Sequence, residues 1–303
     1  MPDPLRHVRV LAEEIGPRAA TSPGEARAAR YIAEAARVYT HQVWLEPFRT
    51  FTTPRLPWLL IFGTCLLGVM LLPFNWQASA VFVTVGAVGG LGQALHWIEL
   101  GWLFPLRESQ NVVAVVPSAA AIRRRLVLVT HVDSPIGGHP GEGAAGPALV
   151  LAAGELLARA PLRHTEVWTV FTGSREPGMA GLHYLLQQYG HMLADADFVV
   201  LDRIRGGAPL FSLTEGRFPA HISDGDLAGY LRELGLAGVD LTGHETQASL
   251  LLDEGFRTVA LLTVGQGQVS PRALHDLVRL LGALGGCLDR DACTEAEADS
   301  AGM

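Results

Sequence analysis

Lysine is absent from this chain of 303 residues, and all 23 basic side chains are arginines. We attribute that absence first to codon composition. The net charge is −7, and the only basic cluster is Arg123–Arg125. A nucleic-acid-binding domain would carry a basic face to neutralise the phosphate backbone. The sequence therefore predicts no nucleic-acid partner.

Cysteine is also scarce. The three cysteines, Cys65, Cys287 and Cys293, form no pair with metal-binding spacing and no disulfide framework. This usage fits a reducing compartment. The first residues are polar with a helical pattern, and they lack the apolar stretch of a signal peptide. We expect the soluble part of the chain to be cytoplasmic.

Charge is low throughout: 17% of the residues are charged and 49% are hydrophobic, so a long apolar segment is expected. Residues 56–106 supply it, with Glu99 and His96 as the only ionisable exceptions besides Cys65. Two apolar runs are joined by the uncharged link FNWQ. The first run is at the short limit for spanning a bilayer and the second is long enough.

Tryptophans near the ends of both runs resemble those that anchor helices at a membrane surface: Trp58, Trp76, Trp97 and Trp102. We predict a membrane-associated helical hairpin at 56–106. It could span the bilayer, dip into it or mediate dimerisation, and a homo-oligomer is one alternative. Arg55 and Arg107 flank the segment, which favours cytoplasmic ends.

Strand and helix patterns alternate around this segment. Strands are predicted at 41–50, 111–116, 126–130, 166–171, 197–201 and 257–263, with a further one within 207–223. Helices are predicted at 4–15, 23–38, 146–159, 178–189, 225–234, 245–254 and 270–286. Such alternation indicates a mostly parallel sheet covered on both faces. We predict one α/β domain from 1–55 and 108–286, with 56–106 inserted and a disordered acidic tail at 287–303.

Ionisable side chains follow three of the predicted strands. LVLVT leads into His131 and Asp133, EVWTVF leads into Arg175 and Glu176, and DFVVL leads into Asp202. The carboxyl ends of parallel strands share one edge of a sheet, where α/β enzymes place their sites. Histidine and carboxylates are the ligands of zinc. Each residue alone is more often a cap or a solvated turn, but together they predict a metal site.

Several motifs in order resemble the di-zinc exopeptidases, the family of bacterial leucyl aminopeptidase, glutamate carboxypeptidase and glutaminyl cyclase. They are LAEEIGPRAATSPGEARAARYIAEAAR, SQNVVAVVPS, LVLVTHVDSP, GEGAAGPALVLAAGELLAR, VFTGSREPGMAGLHYL, VVLDRIRGG and LLDEGFRTVALL. The resemblance covers roughly 9–55 and 108–284. It implies a three-layer, phosphorylase/hydrolase-like α/β domain, zinc as the cofactor, and a peptide or small amide as the ligand.

The resemblance assigns residues one by one. His131, Glu176 and Asp202 match zinc ligands, and Asp133 matches the residue that orients the histidine ligand. Glu142 is the only carboxylate near the position of the metal-bridging aspartate, from which it is offset by one residue.

Besides this offset at the bridging aspartate, two more positions depart from the family's pattern. The carboxylate that serves the family as general base is Arg175 here, and arginine cannot accept a proton because its pKa exceeds about 12. No histidine follows the last strand before His275. A di-zinc site is therefore doubtful, and zinc binding is expected to be weak or lost. A single-zinc site completed by Glu142, His139 or His244 remains an alternative.

Arginines near Asp202 suggest another use of the pocket. Arg203 and Arg205 could bind a carboxylate or phosphate, or pair with the acidic residues in place of zinc. Three functions stay open: a catalytically impaired, membrane-associated aminopeptidase-like protein; an active single-zinc aminopeptidase or amide hydrolase; and a non-enzymatic subunit of a membrane complex. The first is the interpretation that the sequence favours.

Overall fold

The structure is a computed structural model that describes residues 2–51, 55–94, 105–134, 143–176, 178–216, 219–265 and 269–301. It begins with helix α1 (Pro4–Arg9), which continues as a π-helical segment (Val10–Ile15). Helix α2 (Pro23–Ala36) follows and is capped by the Ser22 side chain. Strand β1 (Gln42–Phe51) leads to the two apolar helices, α3 (Arg55–Leu71) and α4 (Trp76–Ala94).

The remaining chain alternates strands and helices. The strands are β2 (Leu106–Val116), β3 (Arg124–His131), β4 (Thr165–Thr172), β5 (Asp197–Leu201), β6 (Ala208–Glu215), β7 (His221–Ile222), β8 (Ala237–Asp240) and β9 (Arg257–Val264). The helices are α5 (Ala145–Arg159), α6 (Ala180–Tyr189), α7 (Gly225–Glu233), α8 (Gln247–Asp253) and α9 (Pro271–Ala301).

All the described strands join one sheet in the order β1-β2-β4-β3-β5-β9-β6-β7, and β8 pairs with β6. The central strands β4, β3, β5 and β9 run parallel, whereas β1 and β2 pair antiparallel with their neighbours and β6 pairs antiparallel with β9 and β7 but parallel with β8. The prediction of a mostly parallel α/β sheet is confirmed for this central part. The short strand β8 was not foreseen.

Both faces of the sheet are covered. Leu126 and Leu128 of β3 pack into one core beneath α2, α5 and α9, and Val127 and Val129 pack into the other beneath α6 and α8. A strand buried on both faces reads as a continuous apolar run, which is why RRLVLVTH does not alternate. The result is a three-layer architecture that fixes the positions of the strand ends.

Helices α3 and α4 form a hairpin outside these layers and pack against each other. Gly86 makes this packing close, because a Cβ there would meet the Cys65 Sγ at 2.3 Å. Large apolar side chains are exposed along both helices and at the connecting turn, where Phe74 is 86% exposed. No described helix combines the length and hydropathy required to cross a membrane. Residues 95–104, the rest of the predicted apolar segment, lie outside the described residues.

The acidic tail differs from its expectation. The sequence predicts disorder from residue 287, whereas α9 continues through the tail to Ala301. The apolar spacing that buries Leu281, Leu284 and Leu288 extends to the buried Ala292, so the helix is held by packing well into the tail.

Candidate functional site at the strand ends

Three neighbouring parallel strands bring the candidate residues to one edge of the sheet. His131 ends β3 and lies in register with Thr172, the last residue of β4. Asp202 directly follows β5, which pairs with the other side of β3. We call His131, Asp133, Arg175 and Asp202 the strand-end cluster. The strand pairing brings these four residues to one edge of the sheet, where the sequence predicts that they meet.

Arg175 and Asp202 form an ion pair at the centre of the cluster. The Arg175 Nη2 donates to the Asp202 Oδ2 at 2.9 Å, and the Arg203 backbone N donates to the Asp202 Oδ1 at 2.8 Å. Burial alone raises the pKa of Asp202, but the neighbouring His131 imidazole and the Arg175 and Arg203 guanidiniums outweigh it and hold the pKa at about 2. The carboxylate is therefore charged and paired.

His131 is held mainly by backbone. Its Nδ1 donates to the Asp133 carbonyl oxygen at 2.8 Å, so this nitrogen carries a proton, since a carbonyl only accepts. The Nδ1 lies 3.7 Å from the Asp133 Oδ1, and the Nε2 lies 3.8 Å from the Asp202 Oδ1. Neither separation is a hydrogen bond. The Asp133 carboxylate instead accepts from the Arg175 backbone N at 3.2 Å.

Glu25 fixes the turn that carries Arg175. Its Oε1 accepts from the Ser174 backbone N at 2.7 Å, and its Oε2 accepts from the Thr21 backbone N at 2.7 Å and the Ser109 Oγ at 3.0 Å. Ser174 and Thr21 have φ values of 46° and 59°. Such conformations cost about 1–3 kcal/mol each in non-glycine residues and need support from their surroundings. Glu25 supplies that support to both.

Arg18 fixes the loop after β3. It is fully buried, and it donates from Nη1 to the Leu11 and Gly16 carbonyls at 2.5 and 2.9 Å and from Nε to the Val132 carbonyl at 3.0 Å. Its backbone exchanges two hydrogen bonds with Ser134. Burial lowers the pKa of Arg18 to about 10, so it remains charged at neutral pH. Sequence reasoning missed this role, although the Gly-Pro-Arg motif was its signal.

A second buried polar group lies beside the cluster, at the end of β6 and the start of α8. The Thr246 Oγ1 donates to the Glu215 Oε2 at 2.8 Å, and the Gln247 Nε2 donates to the Thr172 Oγ1 at 2.5 Å. Within the described ranges, the Glu215 Oε1 and the Gln247 Oε1 have no hydrogen-bond partner. Burial, with a smaller contribution from Asp202, raises the pKa of Glu215 to about 7. Nothing in the sequence pattern marked these residues.

Other candidates from the sequence do not join the cluster or lie outside the described residues. The Glu176 side chain is exposed, although Arg175 next to it points into the pair with Asp202. His244 is exposed and bridges to Gly216 through its backbone. His139 and Glu142 lie in 135–142, which is outside the described part of the chain.

The described residues do not fit a zinc centre. Among them, no three histidine, cysteine, aspartate or glutamate side chains group so that they could hold a metal ion. The Arg175 guanidinium occupies one oxygen of Asp202, and Glu176 is directed to solvent. A cation at this place would have to displace a paired guanidinium.

Comparison with known proteins yields matches in structure only. Neither a family model nor a curated protein matches the sequence. An aminopeptidase from Aneurinibacillus sp. strain AM-1 aligns with a TM-score of 0.65 at 14% identity, covering 94% of this chain and 92% of that chain. A zinc aminopeptidase from Bacillus subtilis gives 0.61 at 14%, covering 97% and 94%. A glutaminyl cyclase from Fimbriiglobus ruber gives 0.60 at 13%, covering 93% and 94%.

These proteins share the arrangement of elements with this chain but few of its residues. At such identity, similarity establishes the fold and leaves activity to be argued from the site. The motifs that suggested the resemblance were strand ends and the turns that follow them, the parts of the fold that the sheet positions. The resemblance is confirmed at that level: this chain has the fold of the zinc-dependent exopeptidases.

Proposed function

We propose that this chain is a membrane-associated protein of the zinc-exopeptidase fold that binds a ligand and does not carry out di-zinc hydrolysis. The observation that carries the proposal is the Arg175–Asp202 ion pair, at 2.9 Å. It puts a fixed positive charge on a carboxylate that the resemblance assigns to zinc. Like charges a few ångströms apart repel strongly where water is partly excluded.

Arg175 also takes the place of the family's proton acceptor. The resemblance implies a carboxylate base at position 175, and positioned bases contribute roughly 10²–10⁴-fold to such reactions. A guanidinium cannot replace it, because it stays protonated. One feature favours the alternative of a single-zinc hydrolase: the His131 Nε2 and the Asp202 Oδ1 remain 3.8 Å apart, so a small rearrangement could direct both towards one ion.

Metal content and turnover test this part of the proposal. The full-length chain is purified with added zinc, its metal is quantified by mass spectrometry, and hydrolysis of aminoacyl-nitroanilides is followed with and without a chelator. We expect substoichiometric zinc and no chelator-sensitive hydrolysis. Arg175→Glu is expected to remain inactive, because the bridging aspartate and the late histidine of the family are also replaced. Stoichiometric zinc with chelator-sensitive turnover would overturn the proposal.

The α3–α4 hairpin supports the membrane part. Leu66 of α3 and Val85 of α4 are about equally exposed, at 61% and 59%. Many other exposed side chains of these two helices are also apolar. A helix that is apolar on all sides is normally buried in a protein core or in lipid. Within 56–94 the sequence has no charged residue that would oppose transfer into lipid.

Flotation with phosphatidylcholine vesicles tests this association. We expect the full-length chain to float with the vesicles, and the double variant Leu66→Asp/Val85→Asp to float much less. Val38→Asp is the matched control, since Val38 is an exposed apolar residue of the α/β domain, and it should float like the unmodified chain. A full-length chain that stays soluble and monomeric without detergent and does not float would contradict membrane association.

A further inference from the structure

Arg175 has more hydrogen-bonding capacity than its ion pair uses. A guanidinium carries five N–H donors, and the Nη2 donates to Asp202. The Nε is buried, and no residue in the described part of the chain accepts a hydrogen bond from it. A buried donor without an acceptor costs about 1–3 kcal/mol. The side chain as a whole remains 18% exposed, so an acceptor from outside the protein can reach the exposed part of the guanidinium.

Arg203 supplies a second guanidinium at the same place. It directly follows Asp202, to which it donates its backbone N–H at 2.8 Å. Its side chain is exposed, so an acceptor from outside the protein can reach its guanidinium. The Arg203 charge lowers the pKa of both Asp202 and Glu215. Asp202 thus pairs with the Arg175 guanidinium and accepts from the backbone of a second arginine, Arg203.

The backbone around these arginines is held in an unfavourable conformation. Ser174, immediately before Arg175, has a φ of 46°, and Arg203 itself has a φ of 50°. Such conformations persist only where the surrounding structure enforces them, and they concentrate at functional sites. Glu25 and Asp202 provide the enforcing hydrogen bonds, to the backbone N of Ser174 and of Arg203 respectively. Buried carboxylates therefore hold the backbone at both places, and the ion pair with Asp202 also holds the Arg175 guanidinium.

The charge at position 175 decides which end of a ligand is favoured. A glutamate there would carry a charge of −1 and attract an ammonium group, whereas Arg175 carries +1. Arginine also binds a carboxylate with two parallel N–H···O hydrogen bonds, a geometry that other cations cannot provide. Repulsion from Arg175 and Arg203 opposes a free N-terminal ammonium at the same place.

We propose that the strand-end cluster binds the carboxylate of a peptide or other organic acid between the guanidiniums of Arg175 and Arg203. This inference rests on the proposed function in one respect: the place next to Asp202 is taken by Arg175 and not by zinc. It names the ligand class that a non-hydrolytic site of this charge would select.

Three small probes that differ mainly in their charged group test the inference. N-acetyl-leucine carries a carboxylate, N-acetyl-leucinamide carries no charge, and leucinamide carries an ammonium. Binding to the full-length chain in mild detergent is measured by isothermal titration calorimetry. We expect N-acetyl-leucine to bind at least about tenfold more tightly than either of the others, as charge-assisted hydrogen bonds are the strong ones. Inorganic phosphate serves as a fourth probe.

Variants locate the site. Arg175→Gln and Arg203→Gln should each weaken N-acetyl-leucine binding about tenfold, and Arg175→Lys should weaken it less, since lysine keeps the charge but loses the planar pair of donors. Arg37→Gln, an exposed arginine at the end of α2, is the control and should bind like the unmodified chain. Thermal melting of each variant distinguishes lost binding from lost folding.

Four results would overturn the inference: equal binding of N-acetyl-leucine and its amide, tighter binding of leucinamide, binding of phosphate alone, or unchanged binding in both glutamine variants. These results are separable from failure of the proposed function. If the chain is metal-free and non-hydrolytic but binds N-acetyl-leucine no more tightly than its amide, only the inference is refuted. Bound zinc with hydrolysis refutes the proposed function, whichever probe binds best.

Discussion

The strand-end cluster and the α3–α4 hairpin place opposite kinds of side chain in opposite surroundings. In the cluster, Asp202 is buried with its charge, and Arg18 is fully buried behind it. In the hairpin, Phe74 and Trp76 are among many apolar side chains left exposed. Burying a charge and exposing a large apolar surface are both unfavourable in water.

The two regions differ in where compensation comes from. The buried ionisable groups in and around the cluster have partners within the chain: Asp202 has Arg175, Glu25 has three donors, and Arg18 has backbone carbonyls. The hairpin's exposed apolar side chains have no such cover among the described residues. The fold thus supplies most partners of the cluster, whereas the proposed membrane association would supply a surface for the hairpin from outside the fold. This comparison predicts that mutations in the two regions act on different measurements.

The largest effect on stability is expected at Arg18. Arg18→Met leaves the Leu11, Gly16 and Val132 carbonyls without their donor, and removing one partner of a buried charged network costs about 3–5 kcal/mol of unfolding free energy. Urea denaturation measures it. Leu66→Ser in the hairpin should change the unfolding free energy by less than about 0.5 kcal/mol, as exposed sites do. Arg37→Met is the matched arginine control and should also have little effect.

Two results would contradict this difference in stability between Arg18 and the hairpin. If Arg18→Met costs less than Leu66→Ser, the buried hydrogen bonds do not stabilise the cluster as the geometry indicates. If Leu66→Ser lowers the unfolding free energy by several kcal/mol, the hairpin is part of the cooperative core and needs no external surface.

A smaller effect is expected from pH, through Glu215. The pKa of Glu215 is raised to about 7 in the folded chain against a usual value of 4.5. Between these two pH values, the folded state therefore holds a proton on Glu215 that the unfolded state has released. The resulting stability is fully present below pH about 4.5 and is lost as pH rises through about 7. We expect a loss on the order of 1–3 kcal/mol across this window.

Glu215→Gln tests the assignment. The variant keeps the shape of the side chain without a titrating carboxyl, so its unfolding free energy should fall less between pH 4.5 and 8 than that of the unmodified chain. Glu233→Gln, at an exposed position of α7, is the control and should leave the pH dependence unchanged. Identical pH profiles for Glu215→Gln and the unmodified chain would show that Glu215 is ionised in the fold.

Prediction from sequence succeeded where the signal is local. The apolar run of β3 and the residues that follow it foretold both the parallel sheet and the position of His131. It failed for Glu25 and Glu215, because their partners are distant in the chain: Glu25 binds Ser109 and Ser174, 84 and 149 residues away. Glu25 lies in the first turn of α2, where an acidic residue is common, so its sequence context does not indicate that it binds distant residues. The short β8 and the helical tail were missed because packing decides them.

The sequence by itself determined the alternation of strands and helices, the uncharged stretch at 56–94, and the presence of arginine where a proton acceptor was expected. These follow from residue type and spacing along the chain. Only the tertiary structure decided that Arg175 pairs with Asp202, while its neighbour Glu176 faces solvent. The reason is that two adjacent side chains in a turn point apart, and only the assembled sheet edge fixes which of them meets a partner from another strand.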